Sequence, residues 1–190
     1  MSLEFRRDNR TEEKFAEDIS HYTSGENKWA EIFSTELKER GYQVEYRDNG
    51  VDNTGKLITG RVNSNPDFVF IINGIEYKIE IKTSPFKELP VPFLTYKVDA
   101  LTTCIDQNAH VVTANPNWFC KFKPDFAKDI LDKYDPDIYY KFSPNDLAIR
   151  VYKENIEEYK KEGKIKFHQW RTNAQELIKL NYNKLKERAK

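Results

Sequence analysis

The dipeptide Asn73-Gly74 sits between two strongly apolar runs, FVFII at 68–72 and IEYKIEIKT at 75–83. A two-residue type I′ turn needs positive φ at both central positions. Asn and Gly tolerate that conformation best, so the pair is a strong hairpin signal. Strands are therefore expected at 66–72 and 75–83. The turn also sets the register, pairing Ile72 with Ile75, Phe70 with Tyr77, Phe68 with Ile79 and Asp67 with Glu80. Lys82, two residues beyond Glu80, lies on the same face. The opposite face collects Phe68, Phe70, Ile72, Ile75, Tyr77, Ile79 and Ile81 and reads as core.

The polar face gathers Asp67, Glu80 and Lys82 at the hairpin end away from the turn. Directly opposed side chains stand about 4.5–5.5 Å apart at Cβ, and like charges so placed destabilise a ladder. A divalent cation between two carboxylates removes that penalty. Hard oxygen donors suit magnesium or manganese rather than zinc. Lys82 is near enough to orient a water or to stabilise negative charge developing on a phosphate. The competing arrangement is a solvated hairpin face on which Glu80 pairs with Lys82 or Lys78.

Elsewhere the apolar periodicity predicts helices over about 11–22 and 26–40, separated by Ser24-Gly25, with Gly41 ending the second. Trp29, Ile32, Phe33 and Leu37 form the stripe of that second helix. A short strand follows at 42–47. The Gly-, Asn- and Asp-rich stretch 48–65 reads as a loop. A helix is expected at about 96–107 and a buried strand at 110–114. Further on, Pro124 opens a helix reaching about Tyr134. Ser143-Pro144-Asn145-Asp146 resembles a helix cap. Residues 147–152 fit either helix or strand, followed by helix to about Glu162. KIKFHQW reads as a short strand and 173–188 as a last helix. The chain is long enough for one domain with a real core.

Pro66-Asp67, followed after a short hairpin by Glu80-Ile81-Lys82, resembles the PD-(D/E)XK nuclease superfamily, the restriction-endonuclease-like and Holliday-resolvase-like enzymes. The likeness covers about residues 26–115. It implies an α/β fold with an α-β-β-β-α-β core, a central mixed sheet flanked by helices, and extra C-terminal helices over about 116–190. It implies magnesium-dependent hydrolysis of DNA phosphodiesters by an activated water. Asp67, Glu80 and the Ile81 backbone carbonyl would hold Mg2+ or Mn2+, and Lys82 would position the water or stabilise the transition state. Many members add a carboxylate from the first core helix. Glu31 is the expected catalytic carboxylate of this helix, because it fits the spacing of EIFSTELKERGY, although the helical wheel places Glu36, not Glu31, within the apolar stripe.

Formal net charge is zero, so no global field draws the chain to nucleic acid or membrane. DNA contacts must come from local patches or a bound cation. Lys56 and Arg61 ahead of the motif, Lys97 after it, and Arg171 in the basic, aromatic-interleaved C-terminal segment are the candidates. Cutting both strands with one site per chain favours a homodimer. Aromatics at 14%, including 12 Phe and 11 Tyr, argue against disorder. Two Cys without metal or framework spacing, and no apolar run long enough to span a bilayer, suggest a soluble cytoplasmic protein, phage-like by analogy.

Overall fold

Turn chemistry and apolar patterning place the central hairpin as expected. In the computed structural model, which describes residues 2–6, 11–49, 60–64, 66–135, 137–138 and 147–182, Asn73 has φ 51° and Gly74 φ 80°. The chain runs β1 (Ser2–Arg6), α1 (Glu12–Glu39), β2 (Val44–Asp48), β3 (Gly60–Ser64), β4 (Phe68–Ile72), β5 (Ile75–Thr83), β6 (Phe93–Lys97) and α2 (Val98–Asp106). It continues β7 (His110–Asn115), β8 (Trp118–Phe122), α3 (Pro124–Lys133), β9 (Asp137–Ile138), β10 (Leu147–Tyr152), α4 (Lys153–Lys161), β11 (Lys166–His168) and α5 (Thr172–Leu180). This is an α/β architecture built on a mixed sheet.

The central sheet has six strands in the order β11-β8-β7-β5-β4-β2. All neighbours are antiparallel except β5 and β7. A parallel pair needs a long crossover, and β6 with α2 supplies it. The β4–β5 register is Ile72↔Ile75 through Phe68↔Ile79, as the turn dictates. Two smaller sheets stand apart, β1–β3 and β6-β10-β9.

Helices cover both faces. On one, Trp29, Ile32 and Phe33 of α1 meet Phe68, Phe70, Ile79 and Ile81, with Trp170, Ala174 and Ile178 joining from the C-terminal segment. On the other, Leu101 and Cys104 of α2 and Phe126 and Ile130 of α3 pack on Val111, Cys120 and Phe122. The apolar face of the hairpin is buried at Phe68, Phe70, Ile79 and Ile81 but open at the turn, where Ile75 is 58% exposed.

Several expectations are corrected. The two N-terminal helices are one, running through Gly25. A mid-helix glycine costs roughly 0.5–1 kcal/mol against alanine. Full burial of each of Ile32 and Phe33 is worth about 1.5–3 kcal/mol, which outweighs it. The 48–65 loop contains β3, which pairs with an N-terminal strand the periodicity did not show. The helix expected from Tyr96 starts at Val98, because Phe93–Lys97 pairs with β10. The stretch 116–190 is more than extra helices: β8 and β11 widen the central sheet, and Leu147–Tyr152 is strand. The cap at Ser143–Asp146 and the last turns of the 173–188 helix lie outside the described residues. Among the described residues, no helix is long and apolar enough to cross a membrane.

Candidate active site

Asp67 sits one residue ahead of β4, and the end of β2 fixes it there. The Asn49 backbone N–H donates to the Asp67 carbonyl at 2.9 Å, and Asn49 Nδ2 donates to the Pro66 carbonyl at 3.3 Å. Across the hairpin the contacts are reciprocal. The Ile81 N–H donates to Asp67 Oδ2 at 2.9 Å, and the Asp67 N–H donates to Glu80 Oε2 at 3.2 Å. Lys82 Nζ stands 2.6 Å from Glu80 Oε1. Lys78 turns away and donates to Gln107 Oε1 at 2.9 Å. Asp67, Glu80 and Lys82 are thus brought together at the end of the hairpin, with Glu80 buried and the other two half-buried.

The electrostatics follow from that crowding. Burial holds the Asp67 carboxyl well above the usual carboxylate range, and Glu80 and Glu26 push it further; Lys82 and the Ile81 N–H pull the other way. Burial alone would lower Lys82. Glu80, Asp67, the hydrogen bond to Glu80 and Glu26 outweigh it, so Lys82 is held as an ammonium. Beneath the cluster lies the Cys104 thiol of α2. It is pushed up, mainly by burial and then by Glu80, with Lys82 opposing and Asp67 adding to the rise.

Glu26 is the residue that the sequence reading missed. It lies on α1 and acts on both Asp67 and Lys82. The signal was present: Glu26 precedes Trp29 by three positions and Phe33 by seven, the spacing of one helix face. Treating Ser24-Gly25 as a break left Glu26 at a helix end.

Glu31 and Glu36 are engaged elsewhere. Glu31 Oε2 pairs with Lys28 Nζ at 2.6 Å, and both act on Tyr46 of β2. Glu36 is fully buried, as the wheel indicated. It accepts from the Arg171 N–H at 2.6 Å and from Arg40 Nε at 2.7 Å, which ties α1 to the start of α5.

Of the proposed DNA contacts, Lys97 closes β6 ahead of α2, and Arg171 is half-exposed with Nε 3.9 Å from Glu36 Oε2. Arg61 lies in β3 opposite Phe5, and Lys56 is outside the described residues.

The donor set is two carboxylates plus one backbone carbonyl. In a strand, the N–H and C=O of one residue point to the same edge, so the Ile81 carbonyl faces the edge where its N–H meets Asp67. These hard oxygens fit a magnesium-like ion. Among the described residues, no three His, Cys, Asp or Glu side chains are grouped so that they could hold a metal ion.

The class defined by fold and site is therefore an α/β protein with a paired carboxylate and lysine cluster where the central hairpin meets the parallel strand. No protein-family model, curated protein or solved structure matches the chain.

Proposed function

We propose that this protein is a metal-dependent DNA endonuclease of restriction-endonuclease-like fold, hydrolysing phosphodiester bonds with an activated water. One observation carries the reading: Asp67, Glu80 and Lys82, spaced as in the PD-(D/E)XK pattern, meet at one point, with Glu26 acting on them from the first long helix. With β3 and β6 set aside because they belong to other sheets, the order α1-β2-β4-β5-α2-β7, with β7 parallel to β5, supports the α-β-β-β-α-β core that the resemblance implies.

Asp67, Glu80 and the Ile81 carbonyl would hold Mg2+ or Mn2+, which supplies Lewis-acid polarisation and a bound water of lowered pKa. Lys82, held as an ammonium, acts by charge. It places a donor beside the carboxylates where an attacking water or a phosphate oxygen sits, and stabilises the negative charge that grows there. It does not serve as the base. Glu26 adds negative charge on the α1 side and strengthens the site's demand for a cation. A twofold homodimer in the cytoplasm accounts for cleavage of both strands.

A second reading, a nucleic-acid-binding module that does not cleave, draws on the Lys82–Glu80 ion pair, which occupies one carboxylate oxygen at 2.6 Å. Plasmid and branched DNA incubated with wild type or Lys82→Ala, in magnesium or EDTA, separate the two. Magnesium-dependent nicking by wild type and at least about a 100-fold loss in the folded variant are expected. Absence of nicking with either magnesium or manganese, while DNA is still bound, establishes the second reading instead.

A further inference from the structure

The strongest unexplained feature away from the acidic cluster is a ladder of cations at the other end of α1. Lys121 of β8 lies directly opposite Lys166 of β11, an arrangement that destabilises a ladder unless something offsets it. Lys123 follows at the end of β8. Among the described residues, the side-chain ammonium of none of these three lysines makes an ion pair or hydrogen bond. Arg40, just past the last turn of α1, lies over the Phe119 ring at 5.7 Å. His168 stacks on the same ring at 5.0 Å and 23° from coplanar, with a buried Nε2 that has no hydrogen-bond partner among the described residues. Arg171 joins through Glu36, the single buried carboxylate that both arginines share.

Three neighbouring groups register this positive field. Burial lowers Lys121, and Arg40, Lys166 and Lys123 lower it further. His168 is lowered by burial, then by Arg40, Lys121 and Lys166, against Glu36 alone. His110 on β7 is lowered by burial, then by Lys123 and Lys121.

We propose that Arg40, Lys121, Lys123 and Lys166, with Arg171 at the rim, form a docking surface for the phosphodiester backbone of nucleic acid. The charges are strung along a strand ladder rather than converging on a single anion pocket, which suits a polymer of regularly spaced phosphates. Neither β8 nor β11 carries an exposed large apolar side chain of the kind that inserts into a bilayer. Arg40 follows Glu26 by 14 residues of one helix, about 21 Å. That span is about six base-pair rises. The inference deepens the nuclease reading, since this surface would hold the flank of the DNA whose scissile phosphate meets Asp67 and Glu80.

The test is equilibrium binding in EDTA, so its outcome does not depend on cleavage. The probe is a labelled duplex of about 30 base pairs, titrated over a range of potassium chloride concentrations. The triple variant Lys121→Gln, Lys123→Gln, Lys166→Gln is compared with wild type and with a control, Lys128→Gln, Lys153→Gln, Lys161→Gln, on α3 and α4. Patch neutralisation is expected to weaken binding at least about 10-fold at low salt and to flatten the log–log salt slope by about two to three, at about 0.9 per phosphate lost. The control should change neither by a comparable amount. Cleavage of a small chromogenic phosphodiester in magnesium should be the same for patch variant and wild type. Equal losses in patch and control variants overturn the surface, as does binding of the patch to phosphatidylserine vesicles but not to duplex. If the triple variant is not folded by circular dichroism, Lys166→Gln alone must flatten the slope by about one, or the proposal falls. Failure of the nuclease reading alone would show as an absence of magnesium-dependent cleavage with the salt-slope difference intact.

Discussion

Asp67→Asn tests the central electrostatic claim because it changes charge and little else. The Asn side-chain oxygen can still accept from the Ile81 N–H, a bond of 2.9 Å in the wild type. For a separation of about 5.5 Å, the usual Cβ spacing of opposed ladder residues, and an effective dielectric of about 20, the repulsion of the two carboxylates is about 3 kcal/mol. Attraction to Lys82, whose Nζ is 2.6 Å from Glu80 Oε1, offsets part of it. At a pH high enough to ionise Asp67 against its raised value, loss of that charge should therefore stabilise the protein by about 1 kcal/mol in EDTA, raising Tm by about 2–4 °C for a chain of this length. The order should reverse in magnesium. Ligand at 100 times its Kd stabilises the wild type by about 2.7 kcal/mol, and the variant should lose most of that gain. Differential scanning calorimetry in EDTA and in magnesium reads both effects. A variant that is less stable in EDTA, with an unchanged magnesium response, refutes both the crowding and the shared cation.

Glu26→Gln should reduce magnesium-dependent cleavage at least about 10-fold, whereas Glu31→Gln should leave it within about twofold; single-turnover assays on plasmid discriminate them. Glu36→Ala removes the acceptor for Arg40 Nε and the Arg171 N–H, and should cost about 3 kcal/mol, near 6–12 °C in Tm, with or without metal. His168 is held below its usual value by burial and nearby cations, so its folded form binds fewer protons than the unfolded chain. Its contribution to stability is complete above about pH 6.5 and is lost as pH falls through the lowered folded value. In His168→Gln, Tm should therefore fall less than in wild type on acidification from about pH 7.5 to about pH 5; an identical slope contradicts the assigned shift.

Local rules decided the hairpin. Positive φ at Asn73 and Gly74 is a property of those two residues, and with a side-chain period of two it fixes which residues share a face. The buried strand His110–Asn115 and the helix opened by Pro124 were legible for the same reason: their signals lie within a few residues. So was the proximity of Asp67, Glu80 and Lys82.

What the sequence did not show is what depends on distant partners. Leu147–Tyr152 fits helix or strand until Phe93–Lys97 lies beside it and fills its backbone hydrogen bonds. β1 and β3 are strands through pairing with each other. Gly25 reads as a break in isolation, yet burial of the following turns of α1 against Phe68 and Phe70 carries the helix through it. Which helix carboxylate lies beside the cluster depends on packing in the same way. Spacing along α1 cannot say which end of the helix crosses Asp67 and which reaches β8, and only packing of the helix on the sheet puts Glu26 at the first and Arg40 at the second.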